Sequence, residues 1–236
     1  MSFVASGSIL YRTVYFIANW LSGCARIITM ARRGDALSKH ILWVAKEIFL
    51  EMGFERASMD MVAARAETSK RSFYAYYPSK EKLFSAVIEL VHGLSVGALK
   101  MPADYSAEAN EAIVLFCARY LEILLFERSI HMCRVSMAET ARFPDGAVLF
   151  FDSMFTEVHT RLSGYLVCQY QLSENLAGEA AQSLLGQILY PRFPRALFGV
   201  DQLTVKFDAH KLSPDFDLLP VRKAVDGMIK LYVESN

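Results

Sequence analysis

Residues 69–82 read Ser-Lys-Arg-Ser-Phe-Tyr-Ala-Tyr-Tyr-Pro-Ser-Lys-Glu-Lys. Wound as a helix from Lys70 to Tyr76, this segment turns Ser69, Lys70, Arg71, Ser72, Tyr74 and Ala75 outward, and Lys80 and Lys82 follow at once. Cations and hydroxyls on one surface suit a polyanion. Ammonium and hydroxyl groups hold phosphate oxygens, and a guanidinium fork matches the paired acceptors on the edge of a guanine. The same side chains also describe the solvated face of an ordinary helical hairpin, and both readings fit these residues taken alone. Other chemistries lack their residues. No nucleophile elbow, P-loop, zinc motif or dinucleotide fingerprint occurs, so catalysis is not expected. Cys24, Cys117, Cys133 and Cys168 are far apart, with no CxxC and no Cys/His pair at metal spacing. The expectation is no metal, no cofactor and no disulfide framework, with reduced thiols in a cytoplasmic protein.

The flanking pattern predicts the elements that would hold this segment. Leu37, Ile41, Leu42, Ala45, Ile48, Phe49 and Met52 recur at three- and four-residue steps, the stripe of an amphipathic helix that Gly53 ends. Ser58 is a good N-cap for a short helix through Ala66, Glu67-Thr68-Ser69 reads as a tight turn, and Pro78 closes the next helix. Ser79 then caps a helix with Leu83, Phe84, Val87, Ile88 and Val91 inward. Two short helices joined by a three-residue turn, after a longer one, make a helix-turn-helix, whose second helix fits the major groove of a DNA duplex. Ala63 and Ala66 are small enough for the helix crossing, with Met59, Val62 and Phe73 as a miniature core.

The rest of the chain stays helical. The periodicity predicts a helix from Ser106 through Leu124, another over 129–142, a long one over 147–170 and one over 173–190. Residues 199–219 read as loop, and Pro220 starts a final helix to about 234. Nothing reads as a strand: the fold class is all-α, an N-terminal helix-turn-helix domain plus a C-terminal helical domain.

Hydrophobic residues make up 53% and charged residues 21%, enough apolar material for a sizeable core and against global disorder. The net charge of zero hides a division: 31–100 carry eleven basic and eight acidic residues, 101–236 twelve and seventeen. A basic N-terminal part on an acidic body suits a protein that offers one end to a polyanion. Residues 1–30 stand apart. Val14–Cys24 is mostly apolar between Arg12 and Arg26, but no cleavage-like site follows, and roughly 13 residues fall short of the ~20 a spanning helix needs. An upstream-assigned start, with Met30 as the natural one, is the favoured reading and an anchoring helix the other. The expected divisions are 1–30 as an extra segment, 31–82 as the helix-turn-helix domain and 83–236 as the C-terminal domain.

Ile41-Leu42-x-x-Ala45-x-x-x-Phe49-x-x-x-Gly53-Phe54, then Ser58-Met59-Asp60-Met61-Val62-Ala63, then the run from Ser69 to Phe84 resembles the N-terminal signature of TetR-family transcriptional regulators, in one unbroken register. Two features depart from that pattern. Glu67 and Thr68 stand where the family usually has glycine and valine, and Tyr76 replaces a frequent histidine. The resemblance implies that Lys70, Arg71 and Ser72 approach bases. It also implies that Tyr74, Tyr76 and Lys80 hold phosphates, that Ser58 adds a phosphate contact, that Ser69 joins the same surface, and that Arg32 and Arg33 form an arm. Met137 to Pro144, with Leu184-Leu185-Gly186 and Pro191-Arg192, is similar to the AefR-like C-terminal subgroup. Implied partners are double-stranded operator DNA, a second copy of the chain and an unidentified small-molecule effector that relieves repression. Two readings stand for Phe116, Tyr120, Met137, Phe151 and Phe155: the lining of the effector pocket, with His131 and Arg134 orienting a polar group, or mostly filled core, with that histidine and arginine at the surface or satisfied inside. Ala181, Gly186, Leu189, Met228, Ile229 and Tyr232 are the expected dimer face. The rival reading is a membrane-associated helical adaptor, resting on residues 1–29 and the high apolar fraction.

Overall fold

The structure, a computed structural model, describes residues 32–208 and 211–235, with side chains from Asp35 onward. The segment 1–30, with Val14–Cys24, lies outside them. Helix α1 runs Arg32–Arg56, and Gly53 interrupts it with φ +76, a backbone region closed to most side chains. Three short elements follow: α2 (Met59–Arg65), α3 (Lys70–Tyr76) and α4 (Lys80–Leu94). Their starts are set by three serines. The hydroxyls of Ser58, Ser69 and Ser79 accept from the amides of Met61, Ser72 and Lys82 at 3.1, 3.1 and 3.2 Å, each satisfying an otherwise orphaned donor.

These helices close on a small apolar centre, here the head. Ile41, Ala45, Ile48 and Phe49 of α1 meet Val62, Ala63, Ala66, Phe73, Leu83 and Phe84, all buried. Phe49, Phe54 and Phe84 stack and cross with centroids 4.9–5.8 Å apart. Tyr77, at the end of α3, points inward, and its hydroxyl bonds Ser38 Oγ at 2.9 Å.

The body is built around α5 (Ala109–Leu125), buried from Ala112 through Leu124 except at Leu115. Around it lie α6 (Glu127–Ala138), α7 (Pro144–Phe151), α8 (Glu157–Tyr170), α9 (Glu174–Leu189), α10 (Arg192–Leu197) and α11 (Leu219–Tyr232). The longest packed pairs are α8 with α9 and α9 with α11, and the head docks through α1 on α6 and α4 on α7.

Three expectations are corrected and one helix is added. The helix expected over 147–170 is two helices joined by a π-helical turn, Asp152–Thr156. A wider turn keeps nearly the same apolar spacing, so periodicity does not reveal it. The helix expected over 129–142 runs 127–138, because Thr140–Arg142 coil into a turn before Pro144. Helix α5 is capped by Glu108, whose carboxylate accepts from the amides of Asn110 and Glu111, and not by Ser106. Helix α10 forms across Pro194, between the expected helix end at 190 and the expected loop from 199.

The segment after α10 is irregular, as expected, but firmly tied. Arg119 and Glu122, on one face of α5 and almost wholly buried, pair at 2.5 Å. Arg119 also donates to the carbonyls of Asp208 and Lys211, and Glu122 accepts from Ser213 N at 2.9 Å. Phe207 lies over the Arg119 guanidinium and stacks on Phe126 at 4.9 Å. Every lone pair and N–H that the pair spends on this segment offsets the desolvation of two buried charges.

Candidate nucleic-acid interface

The turn between α2 and α3 fixes the angle at which α3 leaves the head. Glu67 adopts φ +50. Around it Thr68 N bonds Ala63 O and Glu67 N bonds Ala64 O, both at 3.1 Å. This pair of bonds is the Schellman helix end, which demands one left-handed residue. The turn keeps that geometry with glutamate, at a backbone cost of about 1–2 kcal/mol relative to a right-handed residue. Arg65 pairs with Glu51 at 2.8 Å, fastening α2 to α1.

Beyond the turn, α3 buries only Phe73. Ser69 donates its hydroxyl to Ser72 Oγ at 3.0 Å. Lys70 Nζ meets Asp60 Oδ2 at 2.7 Å, a bond that raises the lysine pKa. Arg71 is exposed and makes no ion pair among the described residues. Tyr74 and Tyr76 are 43% and 39% exposed, Tyr74 with its ring edge on Phe73. Thus Ser58, Ser69, Lys70, Arg71, Ser72, Tyr74 and Tyr76 share one solvent-facing end of the molecule. Lys80 is placed differently. Its ammonium donates to Glu55 O at 3.0 Å and lies 4.4 Å above the Phe54 ring, tying α4 to the end of α1. Burial there lowers its pKa, outweighing nearby carboxylates. Lys82 in the first turn of α4 is exposed. Arg32 and Arg33 open α1, and their side chains lie outside the described residues. Asp60 was missed as a site residue. Its signal was a carboxylate on the first turn of α2, ten positions before Lys70 across a tight turn.

The comparisons agree with this geometry. The N-terminal profile of bacterial regulatory proteins, tetR family, matches residues 41–87, and the C-terminal domain of AefR-like transcriptional repressors matches 111–211. The chain belongs to the TetR family. Among curated TetR-like relatives, the activator FasR of Mycolicibacterium smegmatis is 33% identical over 95 residues, covering 36% of this chain and 43% of its own. The repressor TetR of Mycobacteroides abscessus is 37% identical over 60 residues, covering 25% and 32%. The chain thus spans well under two thirds of these relatives' length. Among solved structures, the flavonoid-responsive regulator FrrA shares the fold with a TM-score of 0.66 at 24% identity, covering 85% of this chain and 96% of its own. A TetR regulator from Agrobacterium tumefaciens does so at 0.61 and 21%, covering 87% and 99%. No described helix is long and apolar enough to cross a membrane.

In this TetR-family chain the expected effector residues divide between core and surface. Phe116 and Tyr120 are filled core, and Tyr120 donates to Met154 O at 3.1 Å. Arg134 donates to the carbonyls of Leu197 and Ala196 at 2.9 and 2.8 Å, closing the end of α10. His131 is half-buried, whereas Met137 and Phe151 are 63% and 58% exposed. Phe155 is half-buried between the rings of Phe151 and Phe193. The α5 stripe packs inward, while Phe151 falls on the outer face of α7. Cys117 and Cys133 are also core, their thiols pushed up to about 12 by burial.

The expected dimer residues divide as well. Ala181, Met228 and Ile229 are buried where α9 meets α11 inside one chain, and Leu189 and Tyr232 are half-buried. Only Gly186 is exposed, in a cleft of about 730 Å³ lined by Gln182, Gln187, Tyr190, Pro220 and Lys223. The outward stripes of the two helices, one position round from the predicted ones, form the free face.

Charged side chains flank the apolar contact of head and body, where the ring centroids of Phe84 and Phe143 lie 6.2 Å apart. Arg142, after α6, donates to Glu55 at 2.7 Å, and Arg128 to Glu47 at 2.5 Å. Glu139 lies 3.9 Å from Arg142, its buried Oε2 without a hydrogen bond among the described residues. At the far end of α4, buried His92 bonds Glu157 at 2.6 Å, and Glu157 also pairs with Arg161.

Proposed function

We propose that this chain is a DNA-binding transcriptional regulator that works as a repressor relieved by a small molecule. One observation carries the reading: α3 anchors itself through Phe73 alone and leaves Arg71, Tyr74 and Tyr76 toward solvent. In the groove Arg71 reads a guanine edge through its fork, Ser72 and Lys70 lie beside it, and the tyrosine hydroxyls with the Ser58 helix start hold phosphates. Residues 31–82 form the DNA-binding part, and 83–236 the part that dimerises and takes the effector. A single recognition helix reads too few base pairs for useful specificity, so two copies on a palindrome are needed. The outer faces of α9 and α11, with Gly186 and Tyr190, serve as the joint. Repression rather than activation follows two relatives, the M. abscessus TetR and NicS of Pseudomonas putida, against the FasR activator. The site of action is the cytoplasm, where operator DNA lies. An effector that favours another spacing of the two heads weakens DNA affinity by the factor by which DNA weakens effector affinity.

Selection of bound sites from random duplex DNA tests this. A two-fold symmetric consensus is expected, and recovery of no enriched sequence overturns it. Arg71→Ala is expected to cost about 1–3 kcal/mol at the selected operator and to relax the preference at one position per half-site. Equal weakening on all sequences makes Arg71 a phosphate ligand instead.

A further inference from the structure

Asp60 places a carboxylate beside the cations that α3 turns to solvent. Its Oδ2 takes the Lys70 ammonium at 2.7 Å, and both side chains are more than half exposed. An ion pair this open contributes little to folding, so stability gives little reason for it. Its electrostatic consequence is larger. Affinity for any duplex, whatever its sequence, grows with each phosphate neutralised. Among the described residues at this end, Lys80 donates to Glu55 O, Arg65 pairs with Glu51 of α1, Arg71 makes no ion pair, and Lys70 on α3 is neutralised in place by a carboxylate of α2.

We propose that Asp60 is a positioning residue for sequence specificity. It holds Lys70 across the α2–α3 angle, away from the phosphate backbone, and directs its ammonium to an acceptor on a base edge. The inference rests on the DNA-binding reading above. Specificity is a difference of affinities, so a carboxylate that withholds one backbone contact lowers binding to random duplex while sparing the operator.

The test compares the full chain with Asp60→Asn, Asp60→Ser, Lys70→Gln and the double variant Asp60→Asn/Lys70→Gln. Each is titrated against a random-sequence duplex pool and the selected operator over a salt series. In either Asp60 variant, random-duplex affinity at 0.1 M salt is expected to rise roughly tenfold and its salt slope to steepen by about 0.9, as for one added phosphate contact. Operator affinity is expected to stay level, so the ratio of the two falls. Adding Lys70→Gln is expected to cancel the gain, since the effect runs through Lys70. An unchanged slope, an equal gain on both duplexes, or a gain that survives Lys70→Gln overturns the proposal. A wild-type chain that binds neither duplex in dilute buffer fails the DNA-binding reading itself. Wild-type binding with Asp60 variants indistinguishable from it fails only this inference.

Discussion

Head and body differ in how deeply their polar side chains are set. In the head the helix starts are set by close neighbours: Ser58, Ser69 and Ser79 each hold an amide three residues on, while Tyr77 and Lys80 reach back to Ser38 and Glu55 O, and Arg71, Tyr74 and Tyr76 are left to solvent. In the body they are drawn inward and reach across the sequence. Arg119 and Glu122 bind backbone near 208–213, and Glu157 of α8 reaches His92 on the head helix α4. Local bonds shape an exposed surface at about 1 kcal/mol apiece, whereas buried pairs hold distant segments and are costly to break singly.

Three measurements break or sharpen that contrast. Arg119→Ala strands the Glu122 carboxylate in the core and frees the 199–218 segment. A loss of about 3–5 kcal/mol is expected in denaturant unfolding. A loss as small as that of a helix cap would erase the distinction between the two regions. Ser69→Ala removes the α3 cap and is expected to cost about 1 kcal/mol. A much larger loss would mean that this cap also carries tertiary structure. The smallest effect concerns acid. Burial raises the Glu157 pKa, but the His92 hydrogen bond and the Arg161 charge outweigh it and hold the carboxyl below its ordinary value. A depressed carboxylate lends stability above the ordinary carboxylate range and loses it as pH falls through the folded value. Between about pH 5 and about pH 3, the melting temperature of Glu157→Gln is expected to fall less than that of the wild type. Parallel curves would remove Glu157 from the acid response.

The contrast also explains what was legible in the residues. Ser58, Ser69, Ser79, Gly53 and the inward Phe73 act within a few positions of themselves, so spacing alone marked them. The π-helical turn at 152–156 escaped because it barely disturbs the apolar period. Arg119 and Glu122 carried no local signal, since their partners lie about ninety residues away. Met228 and Ile229 were read as a surface for a second chain because an amphipathic stripe does not say which neighbour covers it. Here α9 of the same chain does. Lys80 was read from its motif as a phosphate ligand, yet folding brings Glu55 O within its reach.

The joint between head and body has a consequence for how binding data are interpreted. Arg142–Glu55 and Arg128–Glu47 are open to solvent, so dissolved ions weaken them over the same concentrations that displace counterions from a duplex. Ionic strength is therefore expected to act on this molecule twice, weakening these two pairs while it competes for the anion. The slope measured for the intact chain sums both, and substituting Arg142 or Arg128 separates them. Differences between variants that keep the joint intact are free of the overlap.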